Sequence, residues 1–125
     1  MSNEPENGSM VWIDLTVENA ETIRDFYSAV VGWTSEEVDM DGYSDFSMNT
    51  PESGTTITGV CHARGVNEDM PPAWMPYFTV VDLDASIERC NELGGEVLAG
   101  PRTLGEGRFC VVKDPAGAVA SLYET

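Results

Sequence analysis

The feature that most constrains this chain is an internal repeat with a constant step of 63 residues. The step carries Thr16 onto Thr79 and Gly32 onto Gly95. Further landmarks keep the same step without a gap: Asn19 falls on Asp82, Phe46 on Phe109, and Gly54 on Gly117. Repeated units fold alike, so an element predicted in one half is expected at the matching place in the other.

Each half has the pattern of one helix and four strands. Residues 10–17 alternate as a strand does, and Asn19 is predicted to cap a helix that Gly32 ends. The apolar stripe of this helix is predicted to pack on the sheet; it comprises Ile23, Phe26, Tyr27 and Val30. The predicted order is β-α-β-β-β twice, within one domain covering 1–125. Module one is 10–62, a polar connection is 63–73, and module two is 74–125.

Charge and composition exclude several classes of function. Six basic and 22 acidic residues give a net charge of −16, which repels nucleic-acid phosphates and anionic lipids. The polar, acidic residues 1–9 lack the features of a secretory signal, so a cytoplasmic location is expected. Cys61, Cys90 and Cys110 are odd in number and far apart, which predicts reduced thiols. The acidity fits either a saline habitat or a cationic ligand.

Three motifs stand out along the chain: the run FYSAVVGW at 26–33, the run VVDLDA at 80–85 followed by LGG at 93–95, and DPAG at 114–117. In this order and spacing they resemble the vicinal oxygen chelate superfamily of glyoxalases, bleomycin-resistance proteins and extradiol dioxygenases. The resemblance covers nearly the whole chain. It implies an α+β fold in which two tandem modules form an open mixed-sheet barrel around a cavity, and a homodimer.

The resemblance also implies where a metal would be bound. Such proteins take metal ligands from the first and fourth strands of each module, and the matching positions here are Trp12, Thr58, Met75 and Ser121. None is a His or a carboxylate, the side chains expected at these positions. No metal or other cofactor is therefore predicted. The alternative is a rearranged site that uses His62 with Cys61 or Glu124.

Strand alternation predicts which side chains line the cavity. The predicted ligand-binding residues are Trp12, Asp14, Thr58, Met75, Tyr77, Ser121 and Tyr123. Asp14 either pairs structurally or neutralises a cationic ligand, and Asp14 and Tyr77 are the candidate acids or bases if the protein is an enzyme. The aromatic residues and Met75 could equally be core filling.

The leading prediction is a glyoxalase-like or bleomycin-resistance-like protein that binds a small, cationic or aromatic organic molecule without a metal. The alternative is a lyase, isomerase or dioxygenase of the same superfamily, either metal-dependent or acting through acid/base groups. A third possibility is an interaction protein whose cavity is filled by its own side chains. The sequence leaves the question of catalysis open and favours binding.

Overall fold

The computed structural model of the chain describes residues 5–125, except for the side chain of residue 66. Eight strands, two α-helices and one short 3-10 helix form in this part, in the predicted order β-α-β-β-β twice. None of its helices is long and apolar enough to cross a membrane. Residues 1–9 are the segment that lacks the features of a secretory signal. The first four of them lie outside the described residues.

The bounds of the elements follow the predicted pattern closely. The first module holds β1 (Met10–Val17), α1 (Ala20–Val31), β2 (Thr34–Asp39), β3 (Ser44–Asn49) and β4 (Thr56–His62). The connection contains the 3-10 helix Gly65–Asn67. The second module holds β5 (Trp74–Thr79), α2 (Leu83–Glu92), β6 (Glu96–Leu104), β7 (Gly107–Lys113) and β8 (Val119–Glu124).

The chain divides into two compact units. We call residues Ile13–Trp74 the first unit, and residues 5–12 with Met75–Thr125 the second unit. The boundaries fall inside β1 and β5, so Trp12 belongs to the second unit and Trp74 to the first.

The first unit contains a mixed sheet with the strand order β2-β3-β4-β1. Strand β1 runs parallel to β4, and the other neighbouring strands are antiparallel. Helix α1 covers one face of this sheet, where Ala20 packs with Phe46, Met48 and Val60 in a buried cluster. The helix begins directly after β1 and ends at Gly32, whose φ of 92° is the left-handed conformation that glycine adopts without strain.

The second unit has the same arrangement, with the strand order β5-β8-β7-β6. Strand β5 runs parallel to β8, and the other pairs are antiparallel. Helix α2 lies on the face that carries Glu124, because the backbone N–H of Leu83 at the start of α2 donates to Glu124 Oε2 at 2.6 Å. The predicted α+β fold of two tandem modules with mixed sheets is confirmed.

The apolar stripe of α1 is only partly buried, which corrects the prediction that it packs on the sheet. Ile23 packs against the buried cluster, whereas Phe26 is 52% and Val30 65% exposed. Periodicity identifies the side of the helix that faces the sheet, but it does not show how wide the area of contact is. This stripe is wider than the surface that the sheet covers.

The two helix starts differ in a way that the sequence does not show. Asp82 accepts a hydrogen bond from the backbone N–H of Ala85 at 3.1 Å and caps α2 as predicted. Asn19 occupies the corresponding position before α1, but its side chain makes no capping hydrogen bond. The prediction that Asn19 caps the helix is therefore wrong for its side chain.

Substitution of these two residues should separate a true cap from a residue that only occupies the cap position. Asp82→Ala should lower the free energy of unfolding by about 1 kcal/mol, because an N–H at the helix start loses its acceptor. Asn19→Ala should change it by less than about 0.5 kcal/mol. Urea denaturation followed by circular dichroism measures both, and an equal loss in the two variants would contradict the structure.

Candidate functional site

The site predicted from the second module lies on one face of β5 and β8. Tyr77 is opposite Ser121 and Thr79 is opposite Tyr123 in this parallel pair, so the four side chains share a face. Met75 joins them by strand alternation. Glu124, one residue after Tyr123, is on the α2 face, so this set points away from α2. We call these five residues the β5/β8 face.

The β5/β8 face is packed and mostly inaccessible to solvent. Ser121 is 0%, Met75 1%, Thr79 3% and Tyr77 7% exposed, while Tyr123 is half-buried. The ring of Tyr77 lies 6.1 Å from that of Phe109. Position 107 has to be glycine, because a Cβ there would lie 2.1 Å from the Glu124 carbonyl oxygen and 3.0 Å from the Tyr123 ring.

Two hydroxyls on this face are buried without a hydrogen-bond partner in the described part of the chain: Thr79 Oγ1 and Ser121 Oγ. A buried polar group that lacks a partner costs about 1–3 kcal/mol of stability. Such groups are rare in folded proteins, and each calls for an explanation such as a water or a ligand. Ser121 is one of the predicted site residues, and strand alternation places Thr79 on the same face.

Trp12 stands apart from the fully buried residues of the second unit, since its side chain is 38% exposed. It lies on β1, two residues before Asp14, which belongs to the first unit. An indole with this exposure combines an apolar surface with a polar N–H donor, a combination common at binding surfaces.

In the first unit, Asp14 lies on a face with Cys61 and Asp45. Asp14 is opposite Gly59 and Thr16 is opposite Cys61, so these residues share the face away from α1. Burial raises the pKa of the Cys61 thiol far above its usual range, and the nearby Asp14 and Asp45 carboxylates raise it further. Asp45 also forms a hydrogen bond with the thiol. Cys61 is thus held in its neutral form.

The prediction that Thr58 lines the same face as Asp14 is wrong. Thr58 is opposite Met48, a member of the buried cluster under α1, and is therefore on the α1 face. Its hydroxyl donates to the carbonyl oxygen of Ile13, and the residue is 1% exposed. The strand is where the sequence predicts it, but its register against β1 turns this side chain to the opposite face.

The donor groups of the alternative metal site, His62 with Cys61 or Glu124, take part in other interactions in the structure. His62 Nδ1 lies 3.2 Å from Asp45 Oδ1, and Glu124 contacts the start of α2 and Arg108. Cys61 would have to lose its proton to bind a metal, which its raised pKa opposes. Within residues 5–125, no three or more His, Cys, Asp or Glu side chains are grouped so that they could hold an ion.

A family model described as the glyoxalase/bleomycin resistance protein/dioxygenase superfamily matches residues 9–122. The anthracycline biosynthesis protein DnrV of Streptomyces peucetius is 34% identical over 120 residues, which covers 94% of this chain and 42% of DnrV. The protein named "Putative glyoxylase CFP32" of Mycobacterium tuberculosis is 27% identical over 124 residues, which covers 98% of this chain and 48% of CFP32. The chain thus spans about half the length of these curated relatives.

The fold is similar to that of solved structures. A variant of Streptomyces coelicolor methylmalonyl-CoA epimerase, in complex with 2-nitronate-propionyl-CoA, has a TM-score of 0.54 and 17% sequence identity, with 96% of both chains covered. At this identity the likeness concerns the fold alone.

The buried thiols lead to a pH-dependent prediction. Burial raises the pKa of Cys110 to about 11, and that of Cys61 rises further, so both should react with iodoacetamide at pH 8.5 at least about tenfold more slowly than in the urea-unfolded protein. Cys110 should become reactive before Cys61 as the pH rises. Peptide mapping by mass spectrometry measures both rates.

The same shifts determine how stability depends on pH. The unfolded chain loses its thiol protons near pH 9.0, the ordinary pKa of a cysteine thiol, while the folded chain retains them. The contribution of the buried thiols to the free energy of unfolding is therefore complete below about pH 9, and it declines as the pH rises towards 11. Labelling of Cys61 as rapid as in the unfolded protein would contradict its burial beside two carboxylates.

Proposed function

Because the chain belongs to the glyoxalase/bleomycin resistance protein/dioxygenase superfamily, we propose that it binds a small organic molecule at the β5/β8 face without a bound metal. One observation carries the proposal: Thr79 Oγ1 and Ser121 Oγ are buried on one face and have no hydrogen-bond partner in the described chain. A ligand with polar atoms would satisfy both hydroxyls and remove their energetic cost.

Aromatic rings beside these hydroxyls favour a flat ligand. Tyr77 is opposite Ser121 and Tyr123 is opposite Thr79, so each hydroxyl has a phenol ring across the strand pair. Ligand sites typically combine apolar walls with a few placed polar groups, and this face has that composition. Stacking on aromatic rings also suits cations, with about 0.5–2 kcal/mol for a cation over a ring.

The charge of the chain supports the choice of ligand class. A net charge of −16 disfavours anionic ligands and attracts cationic ones. The name of the relative DnrV refers to anthracycline biosynthesis, and anthracyclines are flat molecules of fused rings. A neutral or cationic aromatic molecule therefore agrees with both the charge and this relative.

The predictions about cellular location, oligomeric state, partners and cofactors belong to the same proposal. We propose a cytoplasmic homodimer that binds neither nucleic acid nor membranes and needs no cofactor. The acidity supports the exclusion of nucleic acid, because a field of this sign repels phosphates. Size-exclusion chromatography with light scattering measures the oligomeric state.

Removal of the unpartnered hydroxyls should affect binding without loss of stability. Thr79→Val and Ser121→Ala should leave the free energy of unfolding unchanged or raise it by up to about 1 kcal/mol, because a buried group without a partner disappears. Both should weaken the binding of an amino-sugar anthracycline by roughly tenfold. Denaturant titration gives stability, and the fluorescence of the anthracycline gives affinity.

The matched control is Thr58→Val in the first unit. This hydroxyl is also buried, but it donates to the Ile13 carbonyl oxygen, so its removal should cost about 1 kcal/mol and leave binding unchanged. If Thr79→Val and Ser121→Ala instead destabilise the protein like this control while affinity persists, the two hydroxyls are structural and the proposal is wrong.

Acid/base catalysis is a second candidate function, favoured by the pair Asp45 and His62. The backbone N–H of His62 donates to Asp45 Oδ1 at 2.8 Å, and His62 Nδ1 lies 3.2 Å from the same oxygen. Both side chains are 12% exposed. A carboxylate that accepts a hydrogen bond from Nδ1–H keeps the proton of neutral histidine on Nδ1 and leaves Nε2 unprotonated, which is the arrangement of a general base.

The tautomer of the single histidine tests this second candidate. In nitrogen-15 NMR spectra, neutral His62 should carry its proton on Nδ1 in the unmodified protein. Asp45→Asn should shift the population towards the Nε2-protonated form, because the charged acceptor is lost. A proton on Nε2 in the unmodified protein would remove the base and overturn this candidate.

A further inference from the structure

A groove in the first unit has no role in the function proposed above. It has a volume of about 260 Å³ and lies between β1, α1 and the residues that lead into β5. Its aliphatic side is formed by Leu15, Val17 and Ile23, and its aromatic side by Phe26, Tyr27 and Trp74. Sites for drug-sized ligands are usually about 300–1,000 Å³, so this groove suits a smaller molecule.

The aromatic rings of the groove stand nearly at right angles to one another. The Tyr27 ring is 5.0 Å from that of Phe26 at 88°, and 5.2 Å from that of Trp74 at 78°. Rings in this edge-to-face arrangement attract each other and also accept another ring on an open face. Phe26 is 52% exposed, so part of this aromatic surface faces solvent.

The Tyr27 hydroxyl is a polar group of the groove with a defined role in hydrogen bonding. Trp74 Nε1 donates to the Tyr27 hydroxyl oxygen at 3.1 Å, which uses the hydroxyl as an acceptor. The hydroxyl can still donate its own proton. No acceptor for this proton is present among residues 5–125. A ligand with a hydrogen-bond acceptor would complete the bonding of the hydroxyl.

The aromatic pair on α1 has no counterpart on α2. The step of 63 residues carries Phe26 onto Arg89 and Tyr27 onto Cys90. Both residues are on α2, and the second module forms the same β-α-β-β-β order with them. The aromatic side of the groove is therefore a feature of the first unit that the repeat does not carry to the second.

We propose that this groove binds a small, neutral aromatic molecule of about two fused rings with one hydrogen-bond acceptor. Its volume is too small for a polypeptide segment with several side chains. Anionic molecules are disfavoured by the overall charge of −16 and by Glu21 in the first turn of α1. The proposal is independent of the β5/β8 face, since all six named groove residues belong to the first unit.

Quinoline and naphthalene test this site, because they share size and shape and only quinoline has a ring nitrogen that accepts a hydrogen bond. The readout is the indole N–H resonance of Trp74 in proton–nitrogen NMR spectra of the full chain. We expect quinoline to shift this resonance and to bind roughly fivefold more tightly than naphthalene, as one neutral hydrogen bond allows. Tyr27→Phe should abolish the preference for quinoline while naphthalene still binds.

Two further variants separate the groove from other apolar surface. Phe26→Ala should weaken the binding of both probes by roughly tenfold, because part of the aromatic side is lost. Val30→Ala, on the same helix but outside the groove, should change neither affinity. Ser121→Ala should also leave quinoline binding unchanged.

The proposal is overturned if millimolar quinoline does not shift the Trp74 indole resonance. It is also overturned if Tyr27→Phe retains the preference for quinoline, or if Val30→Ala weakens binding as much as Phe26→Ala does. Failure of anthracycline binding at the β5/β8 face would leave these results unaffected, so the two proposals can fail separately.

Discussion

Parallel pairing of the first and fourth strands of each module is the constraint on which the rest of the structure depends. Neighbouring parallel strands require a long crossover between them, and the helix with the second and third strands supplies it in both modules. The pairing places residues about 45 positions apart, such as Asp14 and Gly59, side by side. Every candidate site residue on these strands takes its face from this register.

The register differs by one residue between the two modules, although the sequence repeats with a constant step. Tyr77 is opposite Ser121 in the second unit, and the same step would place Asp14 opposite Thr58. Asp14 is instead opposite Gly59. Thr58 therefore points towards α1 and its hydroxyl reaches the Ile13 carbonyl, while Ser121 points away from α2 and has no such acceptor. Thr58 and Ser121, which the repeat matches, thus differ in the hydrogen bonding of their hydroxyls.

Local signals in the sequence predicted the order and ends of the elements well. Periodicity and glycine act over a few residues, so α1 ends at Gly32 and the module order repeats as expected. The pairing of β5 with β8 puts Tyr77, Ser121 and Tyr123 on one face of the second module, as strand alternation predicts. The same reasoning missed the Asp45–His62 pair and the exposure of Phe26, because both depend on how distant segments meet.

The two units differ in the kind of polar group that they bury, and this difference shapes what each can do. The β5/β8 face carries hydroxyls and rings but no charged group, so a ligand bound there would leave no buried charge unpaired. The first unit keeps Asp14 and Asp45 beside Cys61, and Asp45 holds His62. The neutral hydroxyls and rings of the second unit suit ligand recognition. The oriented Asp45 carboxylate and His62 imidazole of the first unit suit proton transfer.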